Sequence, residues 1–275
     1  MARQIGLAAL SVLELTPPAM VTCAADAGYD CVGLRLIPAT SAEVSYPIIG
    51  DTPLVRETAA RVSQSGVRVL DIEIFRLKPE TRVEVYRAAL ETGARFGARH
   101  ALVAGNDPDE ARLTDRFGAL CDLAAELGIS ANLEPMPWTD VKNFAQAARI
   151  LAAAGRANSG ILIDPIHFDR GGSRPDEIHD VPRDWLRYAQ LCDAPAERPV
   201  DVEGLLLQAR AERLMPGDGG LDLLGILRAL PRDIPLSVEV PMQTLARTVP
   251  ALERARRLLD KTRALLQRAQ ALDTL

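Results

Sequence analysis

The stretch Leu127-Gly128-Ile129-Ser130-Ala131-Asn132-Leu133-Glu134 contains the end of a helical pattern, a glycine, a short apolar strand and a carboxylate. Glycine commonly ends an α-helix because it adopts the left-handed conformation at little steric cost. The same order of helix, glycine and apolar strand recurs at Asp26-Ala27-Gly28-Tyr29-Asp30-Cys31 and at Ser65-Gly66-Val67, and Ala154-Gly155 also ends a helical pattern. Helices that alternate with buried strands predict a parallel sheet covered by helices.

The spacing of the strand patterns predicts a closed barrel. Eight candidate strands begin near Gln4, Cys31, Val67, His100, Ser130, Ser159, Leu186 and Leu236. Most intervals are close to the roughly 30 residues of a βαβ unit, and a chain of 275 residues is near the roughly 250 residues of a (β/α)8 barrel. We therefore predict a single (β/α)8 TIM barrel over residues 1–275. The alternative is an open doubly wound sheet, but the segment 7–11 offers no glycine-rich phosphate-binding loop.

Apolar residues between the strands recur with the helical period. This pattern predicts helices around residues 83–90, 113–127, 141–154 and 252–266. Two long stretches, 37–53 and 167–184, show no period. In a barrel both follow strands, so we expect them to lie over the mouth of the active site as lids or substrate loops.

The composition argues against several classes of protein. The net charge is −5 and aromatic residues make up 4% of the chain, so neither the basic surface nor the stacking platform of a nucleic-acid-binding protein is expected. No apolar run approaches the length of a membrane span, and no secretion signal precedes the first strand pattern, so we expect a cytoplasmic protein. The cysteines form no CxxC pair, and Cys23, Cys31 and Cys121 lie in apolar surroundings typical of buried free thiols.

Four strand-like runs in the second half of the chain end on a side chain that can bind a divalent metal. These side chains are Glu134, Asp164, Gln190 and Glu239. A polar group at the end of a parallel strand points to the edge of the barrel where enzymes of this architecture place their chemistry. A charge directly after an apolar strand is also costly unless something pairs with it. The pattern therefore predicts a metal-dependent active site.

Five further residues are candidates for the same site, each with a structural alternative. His167, three residues after Asp164, is expected to contact substrate or metal, or to be a structural histidine. Arg213 precedes a glycine-rich turn and could clamp a substrate oxygen or be solvated at a helix end. Asp140 could face the substrate or be the N-cap of the following helix. Glu73 and Arg35 could line the floor of the pocket or form an internal ion pair.

These residues carry a resemblance to a known family. Their order in the chain is Glu134, Asp164-x-x-His167, Gln190-x-x-Asp193, Arg213-x-x-Pro216-Gly217-x-Gly219-x-x-Asp222 and Glu239. It resembles the xylose isomerase-like TIM-barrel superfamily of sugar phosphate isomerases and epimerases, over essentially the whole chain. Endonuclease IV, another member, needs a histidine-rich zinc cluster, whereas this chain has three histidines.

The resemblance implies a ligand set and roles for its residues. In the family's ketose epimerases two glutamates, an aspartate and a histidine hold one divalent ion, and the glutamates face opposite sides of the substrate carbon. By motif, Glu134 and Glu239 match the glutamates, Asp164 matches the aspartate, and Gln190 stands where the histidine is usual. The ligand set is then all oxygen, which suits Mn²⁺ or Mg²⁺ better than Zn²⁺ or Co²⁺. His167 and Arg213 match residues that contact substrate oxygens, and His167 is a further candidate acid.

The resemblance also implies an activity. The favoured one is isomerisation or epimerisation of a small keto-sugar, sugar phosphate or cyclitol through an enediolate, with Glu134 and Glu239 as acid and base. The alternative is a lyase of the same superfamily, such as inosose or 3-dehydroshikimate dehydratase or an enzyme that eliminates from a keto-glycoside. A third possibility is a barrel that binds a metabolite without turnover. The partner is expected to be a small carbohydrate-like substrate, and the family commonly forms homodimers or homotetramers.

Overall fold

The structure, a computed structural model, describes residues 3–272. Its sheet has the strands β1 Ile5–Leu7, β2 Cys31–Arg35, β3 Arg68–Leu77, β4 His100–Gly105, β5 Ser130–Glu134, β6 Ser159–Ile161, β7 Ala189–Leu191 and β8 Leu236–Val238. The strands pair in parallel in the order β6-β5-β4-β3-β2-β1-β8-β7. A parallel bridge between Ile163 and Ala189 joins the two edges of the sheet. The predicted TIM barrel is confirmed.

Helices follow the strands and cover the outside of the barrel. They are α1 Pro17–Ala27, α2 Pro53–Ser65, α3 Arg87–Arg95, α4 Glu110–Ala125, α5 Phe144–Ala154, α6 Pro165–Arg170, α7 Val202–Arg210, α8 Leu223–Ala229, α9 Gln243–Ala246 and α10 Ala251–Leu272. Among the described residues, no helix is long and apolar enough to cross a membrane.

The glycines that follow the helical patterns are the feature on which the barrel prediction depends most. Gly28, Gly66, Gly128 and Gly155 all adopt the left-handed backbone conformation, with φ of 90°, 74°, 69° and 61°. A side chain at such a position would be strained, so glycine lets each helix stop and the chain turn back into the sheet. The predicted joints between helix and strand are confirmed.

The barrel has apolar residues on both sides of its sheet. The larger cluster lies between strands and helices. A smaller cluster fills the barrel interior and consists of Cys31, Leu70, Ile74, Leu102, Ala104, Met136, Leu162 and Tyr188. All four cysteines are buried free thiols, as predicted for Cys23, Cys31 and Cys121.

Two predicted boundaries are wrong near the seventh strand. The strand expected near Leu186 begins at Ala189, because residues 183–185 form a 3₁₀ turn in which the Trp185 amide donates to the carbonyl of Pro182. The stretch 167–184, expected as a loop, contains the end of α6 and a 3₁₀ helix at Pro175–Asp180. Short helices that begin at a proline have too few turns to show a helical period.

Two helices also begin later than predicted. The helix expected from residue 141 begins at Phe144, because Asn143 is its N-cap and accepts from the Gln146 amide. The helical pattern around residues 83–90 divides into a 3₁₀ helix at Val83–Tyr86 and the start of α3. The stretch from residue 37 to residue 52 is a loop, as predicted, and ends at Thr52, the N-cap of α2.

Candidate active site

A cavity of about 340 Å³ opens at the carboxyl ends of the strands. Its walls include the predicted residues Arg35, Glu73, Glu134, His167, Arg213 and Glu239. The loop after β2 contributes Ala39, Thr40, Ala42 and Glu43, which agrees with the predicted position of that loop over the mouth. Of the predicted 167–184 loop, His167 alone lines this cavity. The loop after β2 therefore contributes more residues to the cavity wall than the loop after β1, β5 or β8 does.

Three carboxylates lie at or just beyond the ends of strands at this edge of the barrel. Glu134 and Glu239 line the cavity, whereas Asp164 and the amide residue Gln190 are not among its lining residues. Glu134 is the last residue of β5, and Glu239 directly follows β8. Asp164 lies just beyond β6 and is the N-cap of α6, where its Oδ1 accepts from the Ile166 amide at 3.1 Å. The same oxygen is 3.1 Å from the Cys192 sulfur. Since all three carboxylates are buried, they need compensation by cations or hydrogen bonds.

Arg213 provides most of that compensation. Its Nη1 lies 2.6 Å from Asp164 Oδ2 and its Nη2 lies 2.8 Å from Glu239 Oε2. Its Nε donates to the carbonyl of Ala209 at 2.7 Å. The guanidinium is buried and fixed, so Arg213 is not a solvated arginine at a helix end. It holds two of the predicted metal ligands in place.

His167 lies beside Glu134 and Asp164. Its Nε2 is 3.8 Å from Glu134 Oε1 and 3.7 Å from Asp164 Oδ2. Burial lowers the pKa of His167 to about 4, although Asp164 partly opposes this shift. The imidazole is therefore neutral at neutral pH and offers a ring nitrogen as a ligand or as a proton donor. Glu134, Asp164 and His167 place one donor atom each within 4.8 Å of one another, a spacing that could hold a metal ion.

Gln190 lies on β7 next to these residues. The backbone amide of Gln190 donates to the carbonyl of Ile163 at 2.9 Å, and the backbone amide of Glu239 donates to the carbonyl of Leu191 at 3.0 Å. The strand ends that carry Asp164, Gln190 and Glu239 are thus adjacent. The Gln190 Oε1 atom is buried without a hydrogen-bond partner, as is Glu134 Oε1. These two orphaned oxygen atoms belong to β5 and β7, on either side of β6, and carboxylate and amide oxygens are ligands that a hard cation prefers.

The pKa values of the three carboxylates are shifted in different directions. Burial raises the pKa of Glu134 well above its usual range, and Glu239 and Asp164 raise it further. Burial also raises the pKa of Glu239, to about 8, against the opposing effect of Arg213. Burial alone would raise the pKa of Asp164, but Arg213 and then His167 hold it below its usual value. Asp164 is thus ionised at neutral pH, whereas a nearby divalent cation would stabilise the ionised forms of Glu134 and Glu239.

Arg35 and Glu73 both line the cavity and form an ion pair. The two predicted arrangements, in the pocket wall and as an internal ion pair, are therefore both present. Arg35 Nη2 lies 3.1 Å from Glu73 Oε2, and its Nη1 lies 3.0 Å from Glu43 Oε1 in the loop after β2. Burial opposes the charge of Arg35, but Glu73 and Glu43 raise the pKa of its guanidinium above the ordinary value. The pair therefore joins the floor of the pocket to the loop above it.

Asp140 does not line the cavity, and its alternative role as an N-cap is wrong. Its backbone amide donates to the carbonyl of Gly105 at 3.1 Å, and its carbonyl accepts from Gln146 Nε2 at 2.8 Å. It is not among the residues that line the cavity, and the N-cap of α5 is Asn143. A polar residue just before a helical pattern suggests a cap, but the turn that follows Glu134 extends three residues further than the pattern indicates.

Several residues of the cavity wall were missed by the sequence analysis. Arg76 lies near the end of β3, and Arg210 is the last residue of α7. Trp138 packs edge-to-face against His167 with ring centroids 4.8 Å apart, and the Arg210 guanidinium lies 5.7 Å from the centroid of the same indole. The alternation of side chains along β3 could not have indicated Arg76, because a residue three positions after Glu73 is expected on the opposite face of a regular strand, and the register of β3 shifts between Ile72 and Phe75. Arg210 gives no signal either, because an arginine in the last turn of a helix is commonly solvated.

Comparison with known proteins shows the family to which this chain belongs. The family model described as "Xylose isomerase-like TIM barrel" matches residues 21–265. A 3-dehydroshikimate dehydratase of Pseudomonas aeruginosa is 32% identical over 170 residues, which are 58% of this chain and 26% of that protein. An inosose isomerase of Bacillus velezensis is 31% identical over 113 residues, which are 40% of this chain and 38% of that protein. The chain thus spans about a quarter and two fifths, respectively, of the lengths of these relatives.

Solved structures show the same architecture. The structure of the IolI protein with a bound zinc atom superimposes with a TM-score of 0.78 at 18% identity, over 97% of this chain and 99% of that one. At this identity the similarity establishes the fold alone. The match of the family model covers most of the sequence, including all of the candidate site residues. The chain therefore belongs to the xylose isomerase-like TIM-barrel family.

Proposed function

We propose that the protein is a metal-dependent lyase that dehydrates a small carboxylated hydroxy-ketone, of the class to which 3-dehydroshikimate belongs. The observation that carries this proposal is a pair of arginines, Arg76 and Arg210, in the wall of the same cavity. Neither arginine forms a salt bridge with a carboxylate of the described chain, whereas Arg35 and Arg213 do. Keto-sugars and cyclitols are neutral and would leave this positive charge unused. A sugar phosphate would also pair with it, and the relative named 3-dehydroshikimate dehydratase favours the carboxylate.

The contacts of the two arginines support an anion site. Arg76 Nη1 donates to Asn106 Oδ1 at 3.0 Å, and its Nε is buried without a hydrogen-bond partner. Burial lowers the pKa of the Arg76 guanidinium, and the positive charges of Arg210 and Arg35 lower it further. A substrate carboxylate between Arg76 and Arg210 would relieve this repulsion and satisfy the free donor through charge-assisted hydrogen bonds.

The donor chemistry of the site fits one divalent cation. Glu134, Asp164, Gln190 and Glu239 would hold it, with the orphaned oxygens of Glu134 and Gln190 among the ligands. His167 is the alternative fourth ligand, because its Nε2 lies beside Glu134 and Asp164. The all-oxygen set suits Mn²⁺ or Mg²⁺, and a set with His167 would suit Zn²⁺ better. When bound, the ion polarises the substrate carbonyl and so acidifies the adjacent C–H bond.

The residues of the chain supply the proton transfers. Glu239, whose pKa is raised to about 8, would take the proton from the carbon next to the carbonyl. The electron pair of that C–H bond forms a carbon–carbon double bond as the β C–O bond breaks. Glu134, whose raised pKa favours its protonated form, gives its proton to the departing hydroxyl, which leaves as water. Arg213 holds Glu239 in position throughout.

Isomerisation or epimerisation of a keto-sugar or cyclitol is the second candidate. The relative named inosose isomerase and the two glutamates on different strands favour it. The proton removal would be the same, but the second glutamate or His167 would return a proton to carbon and no bond to oxygen would break. The two reactions are separated by whether water is lost from the substrate.

The test is to incubate the purified protein with Mn²⁺ and 3-dehydroshikimate, and separately with keto-sugars and keto-cyclitols, in D₂O. Loss of water from 3-dehydroshikimate gives an aromatic dihydroxybenzoate that can be followed by its ultraviolet absorbance. We expect this product. Deuterium exchange or isomerisation of the neutral substrates, with no dehydration of the carboxylated one, would overturn the proposal in favour of the second candidate.

Arg210→Met is expected to lower kcat/KM for the carboxylated substrate by about 10- to 100-fold, because a charge-assisted hydrogen bond contributes about 1.5–3 kcal/mol. Methionine keeps the apolar contact with Trp138 but removes the charge. Activity on a methyl ester of the substrate should be low in the wild type and should change little on mutation. The exposed Arg87→Met in α3 is the matched control. Equal losses on acid and ester would count against a carboxylate contact.

Gln190→His is expected to tighten the binding of transition metals and to shift the preference towards Zn²⁺, because imidazole is a stronger ligand for that ion than an amide oxygen. Calorimetric titration of the metal-free wild type and variant with Mn²⁺ and Zn²⁺ measures this change. Gln243→His, at the exposed rim of the same cavity, is the control. Indistinguishable affinities in wild type and Gln190→His would remove Gln190 from the ligand set.

A further inference from the structure

A buried carboxylate outside the cavity accepts hydrogen bonds from four backbone amides. Asp193 lies two residues after the end of β7 and is buried. Its Oδ1 accepts from the amides of Ala194 at 2.9 Å and Leu221 at 3.2 Å. Its Oδ2 accepts from the amides of Gly217 at 3.0 Å and Gly219 at 2.9 Å. A buried carboxylate needs such donors, and three of the four belong to a single turn of the chain.

Glycines allow this turn to lie directly against Asp193. We call residues 215–221 the glycine-rich turn. Gly217 adopts the left-handed conformation, with a φ of 90°. A Cβ atom at Gly219 would lie 2.4 Å from Asp193 Oδ1 and 2.3 Å from the carbonyl oxygen of Ala194. A larger residue at position 219 would therefore push the turn away from the carboxylate.

Arg213 lies on the segment that leads into the glycine-rich turn. The Asp193 amide donates to the carbonyl of Leu214 at 3.0 Å, and the Leu214 amide donates to the carbonyl of Asp193 at 2.9 Å. On the other side, the Arg213 amide donates to the carbonyl of Pro241, just beyond β8, at 2.9 Å. The backbone of Arg213 is thus held between the chain that follows β7 and the chain that follows β8. Asp193 contributes to this arrangement with both its backbone and its side chain.

We propose that Asp193 is a positioning residue that acts on the candidate active site through Arg213. Its carboxylate fixes the glycine-rich turn, and the turn fixes Arg213, whose guanidinium contacts Asp164 and Glu239. Asp193 does not line the cavity, so its action is indirect. The link from Asp193 to Arg213 follows from the hydrogen bonds of the chain, whereas its effect on metal binding rests on the proposed function.

The first test measures how firmly Arg213 is held, with neither metal nor substrate present. The Arg213 Nε–H group, which donates to the carbonyl of Ala209, gives a nitrogen-15 NMR signal that is assigned by its loss in Arg213→Met. Asp193→Asn replaces one acceptor oxygen by an NH₂ donor. We expect it to raise the rate of solvent exchange of the Nε–H group by about 10- to 100-fold, the factor that corresponds to lost hydrogen bonds to a charged group.

Two further variants make this test specific. Asp218→Asn makes the same chemical change at an exposed carboxylate of the glycine-rich turn, which pairs with Lys261, and should leave the exchange rate unchanged. Gly219→Ala keeps the Asp193 carboxylate but displaces the turn from it, so it should raise the rate as Asp193→Asn does. An unchanged rate in Asp193→Asn or Gly219→Ala would overturn the proposal. Loss of the fold in both would also overturn it, because Asp193 would then support the whole barrel and not Arg213 in particular.

The second test follows the effect to the metal site by calorimetric titration with Mn²⁺. We expect Asp193→Asn to weaken Mn²⁺ binding by about tenfold, the lower end of the range for residues that orient metal ligands. It should have no further effect in the Arg213→Met background. An unchanged affinity, or an equal loss in that background, would overturn the action through Arg213 on the metal site. If the wild type binds no Mn²⁺, the proposed function fails, and the NMR test still decides the link between Asp193 and Arg213.

Discussion

Replacement of Glu239 by glutamine is expected to lower kcat by about 10²–10⁴, because Glu239 is the proposed general base. Glutamine has almost the same volume as glutamate, and its amide oxygen can still accept from Arg213. The fold should therefore persist, as judged by circular dichroism and by the cooperativity of thermal unfolding. Steady-state kinetics at saturating Mn²⁺ separate the loss of the base from a weaker affinity for the ion.

The matched control for this variant is Glu203→Gln, which makes the same chemical change on the exposed face of α7. It should leave both turnover and stability unchanged. Near-normal turnover in Glu239→Gln, with the control also active, would exclude Glu239 from the mechanism and leave Glu134 or His167 as the base.

Arg213→Met is expected to destabilise the metal-free protein by about 3–5 kcal/mol, because breaking a buried ion pair leaves an uncompensated charge. Here two carboxylates, Asp164 and Glu239, lose their cation at once. The pKa of Asp164 is lowered in the folded state, so this contribution is present at neutral pH and is lost as the pH falls below the ordinary value of 3.8. Denaturant unfolding at pH 7 and near pH 3 measures both effects.

The stability of Arg213→Met in the presence of Mn²⁺ tests whether the lost charge of Arg213 is the cause of the destabilisation. A divalent cation near the same carboxylates should recover part of the lost stability, and the gain should exceed that of the wild type. Arg210→Met, in the same cavity but without a salt bridge to a described carboxylate, should unfold like the wild type. Equal stability of Arg213→Met and wild type would show that the two buried carboxylates do not depend on this guanidinium.

The fold was predictable because its signals are local. Each helix–glycine–strand joint is specified by a few adjacent residues, and the left-handed conformation at Gly28, Gly66 and Gly128 is a requirement that few residues other than glycine meet. Strand length was less predictable. The seventh strand is three residues long, and hydrogen bonds from neighbouring strands, not its own pattern, determine where it begins.

The candidate site was predictable where strands end and unpredictable elsewhere. Glu134 and Glu239 follow apolar runs, so their position at the barrel mouth can be inferred from the alternation of strands and helices. Asp140 shows the opposite case, since its position depends on the conformation of a turn. Arg76 and Arg210 come from a strand and a helix far apart in sequence. Their proximity is a property of the folded barrel, and with it the charge that favours an acidic substrate.

The position of a bound metal ion tests most directly the claim that this site is a metal-dependent active centre. The protein should be crystallised with Mn²⁺, and the ion located by its anomalous scattering. We predict one peak at the carboxyl end of the barrel, with oxygen atoms of Glu134, Asp164, Gln190 and Glu239 within about 2.0–2.6 Å. Absence of Mn²⁺ from this cluster at saturating concentration, or an ion held elsewhere on the chain, would contradict the account of the site as a metal-dependent active centre.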